Sequence, residues 1–295
     1  MAPSFTIRSQ VFSAPALPPA LYLVSTPIGN LGDITIRALE TLAACDVIAC
    51  EDTRTSGVLL SRYGIDRPKI SYTEHNADAR GAELLRRIES GESVALISDA
   101  GTPLVSDPGF RLVREAAEHG ITVVPIPGAN APVTGLVGSG LSAASFCFAG
   151  FLPPKSKARQ KAFEQCLNTS TTTLFFEAPT RIASALKDAV ATLGEDRPAC
   201  VARELTKMHE TFHRGTLAEL ADEFAAMERV RGEIVLIIEG AEAQEASGAD
   251  IDELLIEALA TMKTKDAANH VAAQTGQSKQ EIYRRALALK GGGDA

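Results

Sequence analysis

Short apolar runs alternate with segments of helical spacing through the first half of the chain. The apolar runs lie at 21–24, 46–50, 69–72, 94–97 and 122–126, and helical spacing appears at 34–44, 82–88 and 111–118. Parallel neighbouring strands require long crossovers of this kind, whereas antiparallel strands can be joined by tight turns. The pattern therefore predicts βαβ units and a parallel sheet in an α/β domain over residues 20–145.

A second α/β pattern follows the proline pair at 153–154. Strand-like runs lie at 146–151, 171–176, 199–201 and 234–238, with helical spacing at 181–193 and 217–227. We predict a second α/β domain over 146–240, a polar linker over 241–250 and a small C-terminal helical domain over 251–291. Residues 261–287 have the pattern of a helix-turn-helix with its turn at 275–278. Residues 1–19 have no continuous apolar run, and we predict a flexible extension there.

Charge and cysteine content narrow the class of protein. The net charge is −8, which argues against nucleic-acid binding over the whole surface, so any polyanion contact is expected to be local. The chain has 295 residues, 45% of them hydrophobic and 22% charged, and no apolar run approaches the ~18 residues of a membrane helix. Five cysteines without a C-x-x-C pair favour a reducing, cytoplasmic compartment over a disulfide framework.

Four polar loops come directly after predicted strands, at 25–33, 51–54, 98–109 and 125–132. In an open parallel sheet, ligands bind at the carboxyl ends of the strands. The 98–109 loop carries two aspartates and a threonine, and carboxylates suit an ammonium or hydroxyl group and repel phosphate. The first loop lacks the G-x-G-x-x-G pattern, which disfavours a pyrophosphate cradle and a nicotinamide dehydrogenase.

These loops, in this order, resemble the tetrapyrrole methylase superfamily of S-adenosylmethionine enzymes. The resemblance is closest to the branch that methylates the 2'-hydroxyl of a cytidine in 16S ribosomal RNA. The matching stretches are STPIGNLGDITIR (25–37), EDTR (51–54), SDAGTPLVSDPG (98–109), PGANA (127–131), FFEAPTRI (175–182), ARELTKMHE (202–210) and GEIVLIIEG (232–240).

The resemblance implies two α/β domains with S-adenosylmethionine bound in the cleft between them. It also implies a homodimer whose partner is 16S rRNA or the small ribosomal subunit, with no membrane and no metal. The residues that fall on cofactor-binding positions are Ile28, Asp99, Thr102, Val105, Asn130, Ala131 and, on the second-domain side, Phe176.

The implied reaction needs a general base, because a ribose hydroxyl is a weak nucleophile. The candidate bases are Glu51, Asp52, Glu177 and Glu204. Each could instead form a salt bridge with a nearby arginine (54, 181 or 203), and the residues alone do not choose between these roles.

Basic residues are the candidates for binding RNA. Arg54 and Arg181 are expected to hold acceptor phosphates, since a planar guanidinium binds them bidentately. Lys155, Lys157 and Arg159 are expected to grip the RNA backbone, together with the basic tail. For these stretches, a simple solvated helix face is the alternative.

Two rival functions and one rival motif remain open at this stage. A methylase of the same fold could act on a tetrapyrrole ring, and a DNA-binding regulator could use the C-terminal helices. The sequence 209–213 matches H-E-x-x-H, the zinc-protease signature, which requires a helix. Thr211 and Phe212 favour a strand, so we predict no metal site there.

Overall fold

A computed structural model describes residues 3–241, 248–275 and 277–291, and these divide at residue 240 into two compact units. The strands of the first unit are β1 (Ser4–Ile7), β2 (Gln10–Ser13), β3 (Leu21–Val24), β4 (Val47–Cys50), β5 (Lys69–Ser71), β6 (Val94–Ile97), β7 (Val123–Ile126), β8 (Phe146–Phe151), β9 (Thr172–Glu177), β10 (Pro198–Arg203), β11 (Thr211–Thr216) and β12 (Ile234–Ile238). Its helices are α1 (Ile36–Ala44), α2 (Thr53–Arg62), α3 (Ala77–Glu89), α4 (Phe110–Glu118), α5 (Ala131–Ser139), α6 (Ser156–Glu164), α7 (Ile182–Leu193) and α8 (Leu217–Ala226).

The predicted parallel sheet is present, with strand order β5-β4-β6-β3-β7 and every pair parallel. Successive residues of a strand point to opposite faces, so both faces of this sheet are covered. On one face Ile48 and Ile97 pack against α1 and α2, and on the other Val47 and Leu96 pack against α3 and α4. Because all five strands run in the same direction, their carboxyl ends lie at the same edge of the sheet.

From residue 3 onward, the structure differs from the expected flexible extension over 1–19. Strands β1 and β2 form an antiparallel hairpin in which Phe5 stacks on Phe12 with ring centroids 5.6 Å apart. Phe5 is 2% exposed and belongs to the core around α1 and α2. The amide of Thr6 also donates to the carbonyl of Tyr63 at 2.7 Å. Burial of Phe5 is the physical reason that this segment is ordered against the domain.

The second sheet is mixed, with strand order β11-β10-β12-β9-β8. Only the β8–β9 pair is parallel among its described pairs. Helices α6, α7 and α8 cover one face, where Phe163, Leu186 and Phe224 are buried. Helix α5, which lies within the predicted first domain, covers the other face through Leu136. At this face Gly138 leaves no room for a Cβ, because the Phe212 ring occupies that position.

The second unit contains three helices, α9 (Gly248–Thr261), α10 (Thr264–Thr275) and α11 (Lys279–Gly291). Leu255, Val271 and Ile282 are fully buried in its own core. The predicted C-terminal helical domain is thus confirmed. Six of the ten predicted linker residues and Gly276 of the predicted turn lie outside the described residues. No described helix is long and apolar enough to span a bilayer.

Candidate active site

Loops from both sheets enclose a cavity of roughly 370 Å³. A smaller recess of roughly 100 Å³ adjoins it and shares several of its walls. The residues that line both are Ile28, Ala100, Asp107, Ala131, Phe151 and Phe176. The second sheet contributes the carboxyl end of β9 and the amino end of β12, which lie at the same edge because the two strands are antiparallel.

The structure brings all seven predicted cofactor-binding residues to these two spaces. Ile28, Ala131 and Phe176 line both of them, and Asp99 lines the larger cavity. The smaller recess is lined by the other three, Thr102, Val105 and Asn130. Their binding role stays a prediction. The convergence of six of them follows from the parallel sheet, which places the loops after β3, β6 and β7 side by side, whereas Phe176 comes from β9 of the second sheet.

Polar side chains in these loops hold the loops to one another. Thr102 Oγ1 donates to the Ala129 carbonyl at 3.1 Å and accepts from Ser25 Oγ at 3.2 Å. Asn130 Nδ2 donates to the same hydroxyl at 3.4 Å, and its Oδ1 caps α5 by accepting from the Val133 amide at 3.1 Å. The side-chain polar atoms of Thr102 and Asn130 are therefore used to hold the loops of the recess in place. This use competes with direct contact to a ligand.

The 98–109 loop has an unusual backbone. Leu104 and Ser106 have φ angles of 73° and 68°, in the left-handed region that side-chain-bearing residues rarely occupy. Gly109 has a φ of 132°, and a Cβ there would lie 2.8 Å from Leu96 Cδ2. Strained residues of this kind concentrate at functional sites.

The cavity is lined by four carboxylates, Asp99, Asp107, Glu177 and Glu233. Among the residues that the structure describes, no lysine or arginine lines it. The pKa of Asp107 is raised to about 6, chiefly by burial and also by the charges of Glu51 and Asp99, while a hydrogen bond from Ser98 opposes the shift. Such a lining attracts cations and repels anions.

Glu177 is the predicted candidate base that lies in the cavity wall, at the end of β9. Its Oε1 accepts from the Ala178 amide at 2.6 Å and from Arg181 Nε at 2.7 Å. Its Oε2 is buried and has no hydrogen-bond partner. A buried oxygen without a partner is costly, and it marks a place where a ligand can donate a hydrogen bond.

The other candidate bases lie outside the cavity wall. Asp52 binds Arg54 through Nε at 3.2 Å and Nη2 at 3.0 Å, and these contacts lower the pKa of its carboxyl. Glu204 binds Lys207 at 2.8 Å, which lowers the pKa of Glu204. Burial, followed by the charges of Asp99 and Asp52, raises the pKa of Glu51. The predicted arginine salt bridges are thus present for Asp52 and Glu177, whereas Glu204 pairs with Lys207 and not with an arginine.

One predicted RNA-binding residue is corrected by the structure. The Arg159 side chain is 4% exposed and forms an ion pair with Asp188, with Nε to Oδ2 at 2.7 Å. It faces the interior of the second domain, so it is not available to RNA. Lys155 and Lys157 are exposed at the start of α6, and the Arg54 side chain is 90% exposed. The Arg181 side chain is 30% exposed and engaged by Glu177.

Comparison with known proteins identifies the family. The family model described as Tetrapyrrole (Corrin/Porphyrin) Methylases matches residues 20–221, and the model of the RsmI C-terminal HTH domain matches residues 245–290. The chain belongs to the tetrapyrrole methylase family. The predictions of the fold and of a methyltransferase are thereby confirmed.

Relatives of this tetrapyrrole methylase are similar over almost its whole length. A protein of Mesorhizobium japonicum is 55% identical over 274 residues, covering 93% of each chain, and one of Haemophilus influenzae is 46% identical over 273 residues, covering 91% of this chain and 96% of the relative. Both are named ribosomal RNA small subunit methyltransferase I.

Solved structures share the fold at low sequence identity. Diphthine synthase has a TM-score of 0.56 at 17% identity, covering 75% of this chain and 89% of its own. Uroporphyrin-III C-methyltransferase from Thermus thermophilus, complexed with S-adenyl homocysteine, has a TM-score of 0.50 at 19% identity, covering 74% and 96%. These similarities establish the tetrapyrrole methylase fold alone.

The H-E-x-x-H motif of this tetrapyrrole methylase does not lie on a helix. His209 precedes β11, and His213 lies within that strand, where its Nδ1 is 2.7 Å from Glu223 Oε1. The helical spacing that a zinc protease requires is therefore missing. Across the described parts of the chain, no group of three His, Cys, Asp or Glu side chains is arranged to hold a metal.

Sequence reasoning missed several residues of the cavity wall, chiefly Asp107, Phe151, Leu205 and Glu233. Asp107 lies in the 98–109 loop that was singled out for its two carboxylates, so its position in that motif could have identified it. Leu205 and Glu233 lie beside strand ends of the antiparallel part of the second sheet. The rule that ligands bind at the carboxyl ends of parallel strands does not cover these two positions.

Proposed function

We propose that this protein transfers a methyl group from S-adenosylmethionine to the 2'-hydroxyl of a cytidine in 16S ribosomal RNA. The observation that carries the proposal is the acidic cavity between the loops of the two sheets, in a chain 55% identical to a protein named ribosomal RNA small subunit methyltransferase I. The matched C-terminal domain extends the similarity beyond the methylase domains.

The residues of the cavity fit the proposed cofactor. S-adenosylmethionine carries a sulfonium and an ammonium, and four carboxylates line the cavity. Ile28, Ala131 and Phe176 offer apolar surface to a flat ring, and the buried, unpartnered Oε2 of Glu177 offers an acceptor to an ammonium or hydroxyl. When bound, the cofactor supplies an electrophilic methyl group. The volume lies in the range of cavities that hold small ligands.

The work left to the protein is alignment and proton removal. Holding the acceptor oxygen in line with the methyl carbon supplies about 7–11 kcal/mol of the barrier reduction in favourable cases. The acidic wall disfavours phosphate, so a ribose edge can enter while the RNA backbone stays outside. Arg54, Lys155 and Lys157 are exposed and available to that backbone. A homodimer and a cytoplasmic location are parts of the same proposal.

A labelling experiment with three acceptors tests the proposal. The protein is incubated with methyl-labelled S-adenosylmethionine and either naked 16S rRNA, small ribosomal subunits or a uroporphyrinogen. The RNA is then digested to nucleosides and analysed by mass spectrometry. We expect labelled 2'-O-methylcytidine from naked RNA or from subunits, and none when the protein is omitted. Label in the uroporphyrinogen alone would support the tetrapyrrole alternative and reject this function.

A binding measurement tests the regulator alternative. Calorimetry should detect S-adenosylmethionine binding to the protein without RNA. Absence of that binding, together with sequence-specific retention of duplex DNA, would favour a DNA-binding regulator.

A further inference from the structure

We propose that Asp107 is the catalytic residue that accepts the proton of the attacking hydroxyl. This inference rests on the proposed function. Among the residues that the structure describes, Asp107 is the one carboxylate that lines both the larger cavity and the smaller recess. It therefore lies where the two spaces meet, beside Phe151 and Phe176 of the second domain. A proton acceptor for the reaction must lie at such a junction between bound molecules.

The backbone fixes the direction of this side chain. Ser106, directly before Asp107, and Leu104 have positive φ angles, and Gly109 follows with another. The amide of Val105 donates to the Thr102 carbonyl at 3.2 Å, which closes the turn. A catalytic group needs this kind of rigid support, because a displacement of about 1 Å can cost 10²-fold in rate.

The surroundings of Asp107 contain other acids. On its own loop lies Asp99, and Glu51 follows β4. Glu177 and Glu233 face the same cavity from the second domain. No lysine or arginine lines either space in the described part of the chain.

These surroundings suit a base. Burial and the neighbouring charges raise the pKa of Asp107 to about 6, while Ser98 opposes the shift. A carboxyl with this pKa is ionised at neutral pH and has a basicity near the working pH, which is the best condition for accepting a proton.

The geometry gives Glu177 a different role. Arg181 and the Ala178 amide already hold its Oε1, and only Oε2 remains open. We assign Glu177 to positioning the bound molecules. Asp107 takes the hydroxyl proton as the oxygen–methyl bond forms and the methyl–sulfur bond breaks, with the electron pair of that bond left on sulfur. Asp107 then passes the proton to solvent when the products leave.

A proton-release measurement tests the titration of Asp107 without catalysis. Near pH 6 about half of the Asp107 side chains carry a proton. Binding of the cationic cofactor beside this carboxyl lowers its pKa and expels that proton. Calorimetry of S-adenosylmethionine binding in buffers of different ionisation enthalpy should therefore show release of up to about half a proton at pH 6, and little at pH 8.

Two variants identify the residue that releases this proton. Asp107→Asn should abolish most of the release, whereas Glu177→Gln should retain it. Equal release by wild type and Asp107→Asn would overturn the assignment.

Steady-state kinetics test the catalytic role. Asp107→Asn should lower kcat by about 10²–10⁴-fold. The affinity for S-adenosylmethionine should fall by a smaller factor, because a cofactor that lowers the pKa of Asp107 binds the charged form of that residue more tightly. In the wild type, kcat/KM should rise with pH through about 6 and then level, because Asp107 must lose its proton to act. This acidic limb should disappear in the residual activity of Asp107→Asn, and Asp107→Glu should recover part of the rate.

Folding of the variant is checked independently. A carboxyl whose pKa is raised on folding destabilises the protein as pH increases through that pKa, so Asp107→Asn should unfold at a higher temperature than wild type at pH 7.5. The difference should shrink as the pH falls below 6 and vanish below about 3, where the carboxyl is protonated in both the folded and the unfolded state.

The outcomes separate this inference from the proposed function. A loss of cofactor affinity in Asp107→Asn with kcat at the wild-type value would make Asp107 a binding residue and overturn its catalytic assignment. RNA methylation by wild type and Asp107→Asn at equal rates would overturn the assignment but leave the proposed function intact. Transfer to a tetrapyrrole alone by wild type would overturn both.

Discussion

The two sides of the cleft use charged residues in opposite ways. On the first-domain side, the parallel sheet presents Asp99 and Asp107 to the cavity without a cationic partner in its wall. On the second-domain side, Glu177 is held by Arg181, and Arg159 is held by Asp188 behind the site. The difference teaches that a charged residue in a site motif can serve binding, chemistry or folding, and that burial and pairing decide which.

Burial also decides the energetic weight of each pair. Removing one partner of a buried ion pair leaves an unpaired buried charge and typically costs about 3–5 kcal/mol. An exposed pair is screened by solvent and contributes little. Arg159 and Arg181 are therefore expected to behave unlike Arg54, although all three were grouped as RNA-binding residues on sequence.

The largest effect is expected at Arg159. Arg159→Ala leaves Asp188, whose side chain is 13% exposed, without its ion-pair partner and removes the packed aliphatic part of the arginine. The free energy of unfolding should therefore fall by about 4 kcal/mol. Urea denaturation of the variant measures this change. The salt dependence of RNA binding by the folded variant should match that of wild type.

Lys157 provides the matched control on the same helix. Lys157→Ala removes an exposed charge from α6 and should leave the denaturation midpoint unchanged. It should instead weaken RNA binding and flatten its dependence on salt. A stable Arg159→Ala variant that loses RNA affinity would contradict the structural role of Arg159 and restore the original prediction.

A smaller effect is expected at Arg181, whose side chain is 30% exposed. Arg181→Ala leaves the Glu177 carboxylate buried and should cost about 3 kcal/mol in the free energy of unfolding, at the lower end for buried pairs. The double variant Arg181→Ala/Glu177→Gln should recover at least ~1 kcal/mol of that loss, because the uncompensated charge is gone. Additive losses in this cycle, measured by urea denaturation, would show that the pair is not coupled.

Sequence reasoning succeeded where one physical rule covers many residues. Hydrophobic periodicity indicated the parallel sheet, and parallel strands place all their carboxyl ends at one edge. This is why the loops after β3, β6 and β7 could be placed together, whereas the choice of Ile28, Asp99 and Asn130 within them came from the family resemblance. On the second-domain side this rule does not apply, because β12 runs antiparallel to β9. Phe176 and Glu177 were found there through a family motif instead.

The missed features depend on tertiary contacts. Arg159 lies on a helix whose other basic residues are exposed, and only the position of Asp188 on α7 shows which face is buried. Helix α5 is rich in glycine and small residues, so its sequence gives little helical periodicity, and contact with the second sheet stabilises it. The N-terminal hairpin likewise depends on the burial of Phe5 in a core formed by distant residues.

The smallest effect on stability is expected at Arg54, on the first-domain side. The Arg54 side chain is 90% exposed and that of its partner Asp52 is 32% exposed, so Arg54→Ala should leave the denaturation midpoint unchanged. If Arg54 holds an acceptor phosphate, the variant should raise KM for RNA and leave KM for S-adenosylmethionine unchanged. The slope of log affinity for RNA against log salt should fall by about 0.7–0.9, which corresponds to one phosphate contact. A rise of both KM values by the same factor would contradict this assignment, because loss of a contact to an RNA phosphate does not by itself weaken the binding of S-adenosylmethionine.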